Sequence, residues 1–300
     1  MPGGLGAPSI VWWRSAKGAA LTSKREIERI ASAALAEDGP GDITTALTVA
    51  PRVHAGGVIE HRSTGVLAGA PYADEVARCC GCKIEWAVGE GDFVTRPTAL
   101  GIISGELAEI LRAERPLLNL LQRASGIATA TRAYVDAVQG TGARILHTRK
   151  TAPGLRSLDL AAVLAGGGYM HRADLSHEVM VKDNHWQALA RSGTGLEQAL
   201  AEGRKRGVTA LYVEVEALDQ LELACSAGAT RILVDNQPPA TVRAWAQLAH
   251  ERRPGIEIEA TGGISLANVR EYAEAGADFI SIGALTHSVK AADIAIEVKL

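Results

Sequence analysis

Beyond Gly142 the chain falls into a rhythm of short apolar strands separated by helical stretches, and this limits the possible folds more than any other feature of it. Strand patterns cover residues 143–148, 178–182, 211–215, 231–235, 256–261 and 279–283. From Leu211 onward the strand starts fall at 211, 231, 256 and 279, which is 20, 25 and 23 residues apart. Each interval holds one strand, one amphipathic helix and two short loops, the unit of a parallel α/β barrel. Helical stretches at 239–249 and 265–275 support it, the second expected to open with Ser265 as N-cap and to stop at Gly276. Only about six strands can be read, so an open, incomplete barrel is as compatible as a closed one of eight.

The first half has a different texture. A helix pattern over 23–37 ends at the breaker cluster Asp38-Gly39-Pro40-Gly41-Asp42. Residues 53–103 mix an alternating run at 55–61, a helix near 72–80 and turn-bounded extended pieces containing Gly89, Gly91 and Gly101, which predicts a small α+β unit. A helix over 107–121 then leads to Ser125-Gly126 and a second helix through Val138. Residues 1–22 set Gly3, Gly4, Gly6, Pro2 and Pro8 around the patch Ile10-Val11-Trp12-Trp13, as in a loosely held extension.

Composition narrows the function. With 47% hydrophobic and 22% charged residues in 300, the chain can build a large core. Its net charge of -3 argues against binding nucleic acid or an anionic membrane through bulk charge, so any basic site must be local. No apolar run reaches the ~18 residues of a membrane span, and no clean secretion signal opens the chain, so a cytoplasmic location is expected. Cys79, Cys80 and Cys82 crowd together with Cys225 far away, a spacing that fits reduced thiols at a helix end better than disulfides or zinc.

In such barrels the chemistry gathers at the carboxyl ends of the strands. Read in order, those ends carry Arg149-Lys150, Lys182 with Asp183-Asn184-His185, Glu214 and Glu216, Asp235-Asn236, Thr261-Gly262-Gly263, and Gly283 with His287 beyond it. Arg149, Lys150, His171, Arg172 and Lys182 concentrate positive charge in an acidic chain, so the ligand should be a multivalent anion held through its carboxylates or phosphates. Glu214 and Asp235 form an acidic half, as counter-charges to the lysines or as ligands for a metal or for ribose hydroxyls. Thr261-Gly262-Gly263 before a helix, with Gly283-Ala284-Leu285-Thr286 after the last strand, points to phosphate. Gly166-Gly167-Gly168 before His171-Arg172 reads as a flexible bend beside an anion pocket.

These residues resemble a family. The run Ile145-Leu146-His147-Thr148-Arg149-Lys150-Thr151-Ala152-Pro153-Gly154-Leu155-Arg156, the triple glycine with His171-Arg172, and Val181-Lys182-Asp183-Asn184-His185 are similar to quinolinate phosphoribosyltransferases, the carboxylating nicotinate-nucleotide pyrophosphorylases. Glu37-Asp38, Gly41 to Thr45, Glu114-Arg115 with Asn119, Ser125 to Thr129, Val213 to Val215, Glu259 to Ile264 and Ser281 to Lys290 follow the same pattern, so the likeness runs from about residue 24 to the C-terminus.

The resemblance implies an α/β fold with an N-terminal α/β sandwich beside an open, TIM-like barrel. Its expected divisions are an extension over 1–22, a sandwich over 23–122 with 289–300, and a barrel over 123–288. It implies a homodimer in which Arg115 completes the neighbouring site, and a reaction joining quinolinate to phosphoribosyl pyrophosphate (PRPP) with Mg²⁺. The products would be nicotinate mononucleotide, pyrophosphate and CO2, in NAD biosynthesis. Carried over by position, Arg149, His171, Arg172, Lys182 and the partner's Arg115 would hold the quinolinate carboxylates. Lys150 and Lys182 would face pyrophosphate. Glu214 and Asp235 would bind ribose hydroxyls and Mg²⁺-pyrophosphate. Thr261, Gly262, Gly263, Gly283 and His287 would cradle the 5′-phosphate, Thr261 replacing the family's usual Ser.

Departures cluster in the substrate half: Met170 where the family has Asn, Asp174 and His177 where it has Gly and Asp, and His147 where it often has Asp. They leave open an alternative acceptor, as in a paralogue acting on another aromatic acid in a specialised or molybdenum-transport-associated pathway. From the residues alone, a Schiff-base aldolase using Lys150 or Lys182 and a catalytically silent barrel are the other readings.

Overall fold

The computed structural model describes residues 23–176 and 178–299, so the expected N-terminal extension and His177 lie outside the described residues. The chain opens with α1 (Lys24–Glu37) and α2 (Ile43–Thr48), each started by a side-chain cap. Ser23 Oγ accepts from the Glu26 N–H at 3.2 Å, and Asp42 Oδ1 accepts from the Thr45 N–H at 3.0 Å. Then come β1 (His54–His61), β2 (Gly65–Val66), α3 (Ala70–Cys79), β3 (Lys83–Trp86), β4 (Phe93–Val94), β5 (Thr98–Glu106) and α4 (Leu107–Ala137). β2 and β4 pair as a small antiparallel ribbon.

The barrel alternates β6 (Arg144–Leu146), α5 (Arg156–Ala165), β7 (Val179–Val181), α6 (Asp183–Ser192), α7 (Leu196–Lys205), β8 (Leu211–Val215) and α8 (Leu218–Ser226). It continues through β9 (Arg231–Asp235), α9 (Pro239–Arg252), β10 (Glu257–Thr261), α10 (Val269–Glu274), β11 (Phe279–Ser281) and α11 (Ala284–His287). β12 (Ile294–Lys299) then returns to the first unit, pairing antiparallel with β1 in a four-stranded sheet ordered β12-β1-β5-β3.

The six barrel strands form one parallel sheet in the order β6-β11-β10-β9-β8-β7. The first strand pairs with the last, and the opening lies between β6 and β7, narrowed by a single bridge from Leu146 to Tyr169. This is the open α/β barrel that the resemblance implied and that the strand rhythm left as compatible as a closed one. Alternation along the strands sorts the side chains. Val213, Val215, Ile232, Val234, Ile258, Ala260 and Ile280 join the main hydrophobic core with residues of the covering helices. The intervening residues face inward, where Tyr212, Leu233 and Met180 form a small separate cluster beside charged neighbours.

Three local expectations need correction. Residues 107–137 form one continuous helix of 31 residues, unbroken at Ser125-Gly126. Gly126 is instead a point of close approach: an added Cβ would strike the Lys290 carbonyl where the chain recrosses α4. Ala292 N–H donates there to the Gln122 carbonyl at 2.9 Å. Because the obstacle is backbone, Gly126→Ala is expected to lower stability by about 1–3 kcal/mol, read as an earlier urea midpoint. An unchanged midpoint would show that the crossing segment can yield.

Ser265 does not cap α10. The helix starts at Val269 behind Asn268, whose Oδ1 accepts from the Ser265 N–H at 2.8 Å and folds 265–268 into a turn of its own. Gly276 follows the helix with φ 97°, as expected of a stop. The triple glycine is tightly packed: a Cβ on Gly168 would come within 2.9 Å of Thr131 Cγ2 on α4.

Candidate active site

Because the barrel strands are parallel, their carboxyl ends meet on one rim. Lys182, directly after β7, forms an ion pair with Glu214 on adjacent β8. The Lys182 backbone is pinned by its N–H donating to His185 Nδ1 at 3.0 Å, and Trp186 Nε1 donates to the Glu214 carbonyl at 2.8 Å. Burial pushes the Glu214 carboxyl up from its ordinary pKa while Lys182 opposes it and Asp235 adds to it. One expected counter-charge role is therefore seen, with the second carboxylate within electrostatic reach.

On the next two strands Asp235 and Thr261 are register partners. Asn236 follows Asp235 with φ 53°, a conformation Asn tolerates better than most residues. Its N–H donates to the Thr261 carbonyl at 2.9 Å and its Nδ2 to Asp235 Oδ2 at 2.6 Å. Gly262 and Gly263 are both left-handed, with φ 83° and 61°. A Cβ on Gly262 would collide with the Asn236 side chain. The helix expected directly behind this turn begins only at Val269, so no helix N-terminus stands immediately after the glycines.

Past β11, a Cβ on Gly283 would lie 3.1 Å from His287 Nε2 and 3.2 Å from Lys150 Cδ, so the bare glycine lets these two side chains converge. Thr286 Oγ1 donates to the Lys150 carbonyl at 2.9 Å, tying the β6 loop to α11. Beneath them lies an ion pair that sequence reasoning did not single out. Arg123 of α4 makes two 2.8 Å bonds to the wholly buried Asp159 of α5. Arg123 also donates to the Thr286 carbonyl at 3.1 Å, and Asp159 accepts from the Ala152 N–H at 3.1 Å.

Arg149 and Arg172 complete the cationic side. Arg149 Nε is buried and has no hydrogen-bond partner among the described residues. Burial first and then Arg149 lower the pKa of the Arg172 guanidinium from its ordinary value. Two guanidiniums that destabilise each other, one with an orphaned donor, make a place for a bidentate anion.

His171 behaves differently. Its side chain is only 6% exposed, with Nε2 3.2 Å from Glu259 Oε1 and Nδ1 accepting from the Arg172 N–H at 2.6 Å. Behind it His147, fully buried, accepts from the His171 N–H at Nε2, 3.0 Å, while its Nδ1 faces the Thr148 carbonyl at 3.2 Å. Burial pulls the His147 pKa down to about 4. This departure from the family pattern is thus a neutral support, and its charge does not reach the pocket. Asp174, another departure, accepts from the Ser176 N–H at 2.8 Å within its own loop, and Met170 is half-buried beside His171. Arg115 is exposed on the first half of α4 and bonds to no rim residue among those described.

A polar barrel floor was also missed, although charges at alternate positions of the apolar strands Arg231–Asp235 and Glu257–Thr261 signalled it. Arg231 bonds to Glu257 at 2.8 Å and Glu259 at 3.1 Å, and its guanidinium lies 4.6 Å from the Tyr212 ring centre and 3.8 Å from that of Phe279. Ser281 Oγ donates to Glu259 at 2.5 Å. Burial opposes ionisation of Glu259, but His171, Arg231 and Ser281 prevail and hold its pKa down to about 2.

A rim of cations and glycine turns above paired carboxylates, on an open α/β barrel, defines an enzyme for small polyanions. Residues 127–297 match the C-terminal domain model of quinolinate phosphoribosyl transferase and residues 42–125 its N-terminal domain model. The chain is 38% identical over 260 residues to the nicotinate-nucleotide pyrophosphorylase (carboxylating) of Mycobacterium leprae, covering 85% of this chain and 90% of that one. It is also 38% identical over 269 residues to a probable enzyme of the same name from Bacillus subtilis, covering 89% and 91%. The solved nicotinate-nucleotide pyrophosphorylase of Francisella tularensis superposes with a TM-score of 0.85 at 31% identity, covering 93% of this chain and 98% of that one. The chain belongs to the quinolinate phosphoribosyl transferase family.

Proposed function

We propose that the chain transfers the phosphoribosyl group of PRPP to quinolinate with loss of CO2, yielding nicotinate mononucleotide and pyrophosphate. The observation that carries this reading is the pairing of Arg149, with its buried unpartnered Nε, and Arg172 at the mouth of a barrel in an otherwise acidic protein. Two adjacent guanidiniums match two adjacent carboxylates, and Arg149 and Arg172 receive them. Lys150, Thr261, Gly262, Gly263, Gly283 and His287 take the 5′-phosphate, and Lys150 and Lys182 the pyrophosphate side. Glu214 and Asp235 hold the ribose hydroxyls.

The pyridine nitrogen attacks the anomeric carbon as the bond to pyrophosphate breaks, through a cationic sugar that the carboxylates stabilise. Positioning by the rim supplies most of the acceleration. The C2–carboxylate bond then breaks, CO2 leaves, and the bonding pair stays on C2 as an ylide that the adjacent pyridinium nitrogen stabilises and that is protonated at C2.

Among the described residues no cluster of three or more His, Cys, Asp or Glu is arranged to hold a metal ion. Mg²⁺ rests on one or two carboxylates together with substrate phosphates, and Glu214 and Asp235 on neighbouring strands fit that use. Bound there, it would neutralise charge on the pyrophosphate.

We assign a homodimer in which the partner's Arg115 reaches the acceptor. Arg115 is exposed and lacks a hydrogen bond among the described residues, and α2 presents Ile43, 78% exposed, and Leu47, 82% exposed, one turn apart. The four free thiols suit the reducing cytoplasm, and no helix among the described residues is long and apolar enough to cross a membrane. The test is turnover of a panel of pyridine carboxylates with PRPP and Mg²⁺. CO2 release from carboxyl-labelled quinolinate is expected, and turnover of another acid with none of quinolinate would overturn the assignment.

A further inference from the structure

Just ahead of β7 stands a charge that the proposed reaction leaves unused. Glu178 directly precedes Val179, whose N–H donates to the Ala210 carbonyl at 3.1 Å, so the chain is already laid beside β8 at this point. Alternation then decides which way the side chains turn. Val179 and Val181 pack with the main core and the covering helices, while Met180 joins the inner cluster with Tyr212 and Leu233. Residues 178, 180 and 182 therefore share the inner face, with Lys182 at the rim and Glu178 at the opposite end of the strand.

Two inward groups feel the Glu178 charge. The Tyr212 hydroxyl is pushed up to about 12 by burial, with Arg231 opposing and Glu178 adding to the push. The Arg172 guanidinium is lowered by burial and by Arg149, and among the carboxylates that work against them Glu178 comes first, ahead of Glu214 and Glu259. Yet Glu178 Oε2 is buried and takes no hydrogen bond among the described residues. A buried carboxylate oxygen without a donor keeps its charge little damped, because neither water nor a hydrogen bond spreads it. A carboxylate below Arg149 and Arg172 offsets part of their attraction for an incoming anion. Its field acts on each charge of that anion separately, so the repulsion is about twice as large for a diacid as for a monoacid.

We infer that Glu178 is a specificity-determining residue of the acceptor side, a fixed negative charge inside the barrel that moderates the grip of Arg149 and Arg172 and narrows the preference for two carboxylates over one. This rests on the acceptor site proposed above. The donor side is spared: Lys182 stands four residues further along the strand, about 13 Å at ~3.3 Å per residue, which exceeds a Debye length at physiological salt.

Glu178→Gln keeps the shape of the side chain and removes its charge. Calorimetry on this variant with phthalate and benzoate, benzene rings bearing two adjacent carboxylates or one, reads the effect without any chemistry. At neutral pH the Kd for phthalate is expected to tighten about tenfold and that for benzoate about threefold, the square root, because the free energy scales with ligand charge. The KM for PRPP should stay within about twofold of the wild type. Glu178→Leu should reproduce both factors, which excludes a new amide hydrogen bond as their cause, and it decides the matter should the Gln variant fail to fold. Equal factors for the two acids, unchanged affinities or weaker binding would overturn the inference. Neither ligand has a ring nitrogen to react, so an absence of quinolinate turnover with both shifts present would overturn the proposed reaction and leave the role of Glu178 standing.

Discussion

Arg149→Met should leave a folded protein with almost no turnover of quinolinate, its kcat/KM down by about 10³-fold, while the melting temperature holds or rises. Truncating one side of a buried, hydrogen-bonded charge pair costs about 2–5 kcal/mol of binding, and about 4 kcal/mol is a thousandfold. Stability runs the other way, because the wild-type side chain keeps an orphaned buried Nε beside a second guanidinium. Methionine fills similar space without either burden. Steady-state kinetics and a thermal melt on the same preparation decide the matter: retained turnover, or loss of turnover together with unfolding, would remove Arg149 from the acceptor site.

The second large effect concerns stability. Asp159→Ala strands Arg123, whose Nε and Nη2 both bond to that carboxylate. Removing one partner of a buried ion pair costs about 3–5 kcal/mol. For a chain of this size that corresponds to a fall in melting temperature of roughly 10 °C. Activity should suffer too, since Asp159 holds the Ala152 N–H in the β6 loop and Arg123 holds the Thr286 carbonyl of α11 beside Lys150. The double variant Arg123→Met with Asp159→Leu should recover most of the lost stability without the full activity. A single variant that melts like the wild type would show that the pair contributes nothing to the fold.

The parts of this protein legible in the sequence are those with local, periodic causes. β8 and β9 begin and end where alternation and turn residues place them, at Leu211–Val215 and Arg231–Asp235. The rim residues could be found because they directly follow such strands. What escaped depends on contacts distant along the chain. Gly126 reads as a helix breaker until Lys290 is seen crossing it, 164 residues later in sequence. The turn at 265–268 hides its true cap because the Asn268 side chain bonds backward. His171 reads as an anion ligand by residue type, and its contacts with Glu259 and His147 are made with residues too distant along the chain for periodicity to reveal. Arg123 and Asp159 are 36 residues apart on two helices, beyond the reach of either helical periodicity.

The unclosed seam of the barrel has a consequence for how such an enzyme can change. Tyr169 is tied to the neighbouring strand by one amide, donating to Ile145 at 2.8 Å, and residues 170–176 follow with no strand pairing. A side chain altered there unzips no ladder, whereas a slip of β9 against β10 would turn Asp235 and Thr261 away together. With the site roles proposed above, the scaffold leaves the acceptor side open to exchange and the sugar-phosphate side fixed, so new acceptors should arise by substitution along the seam.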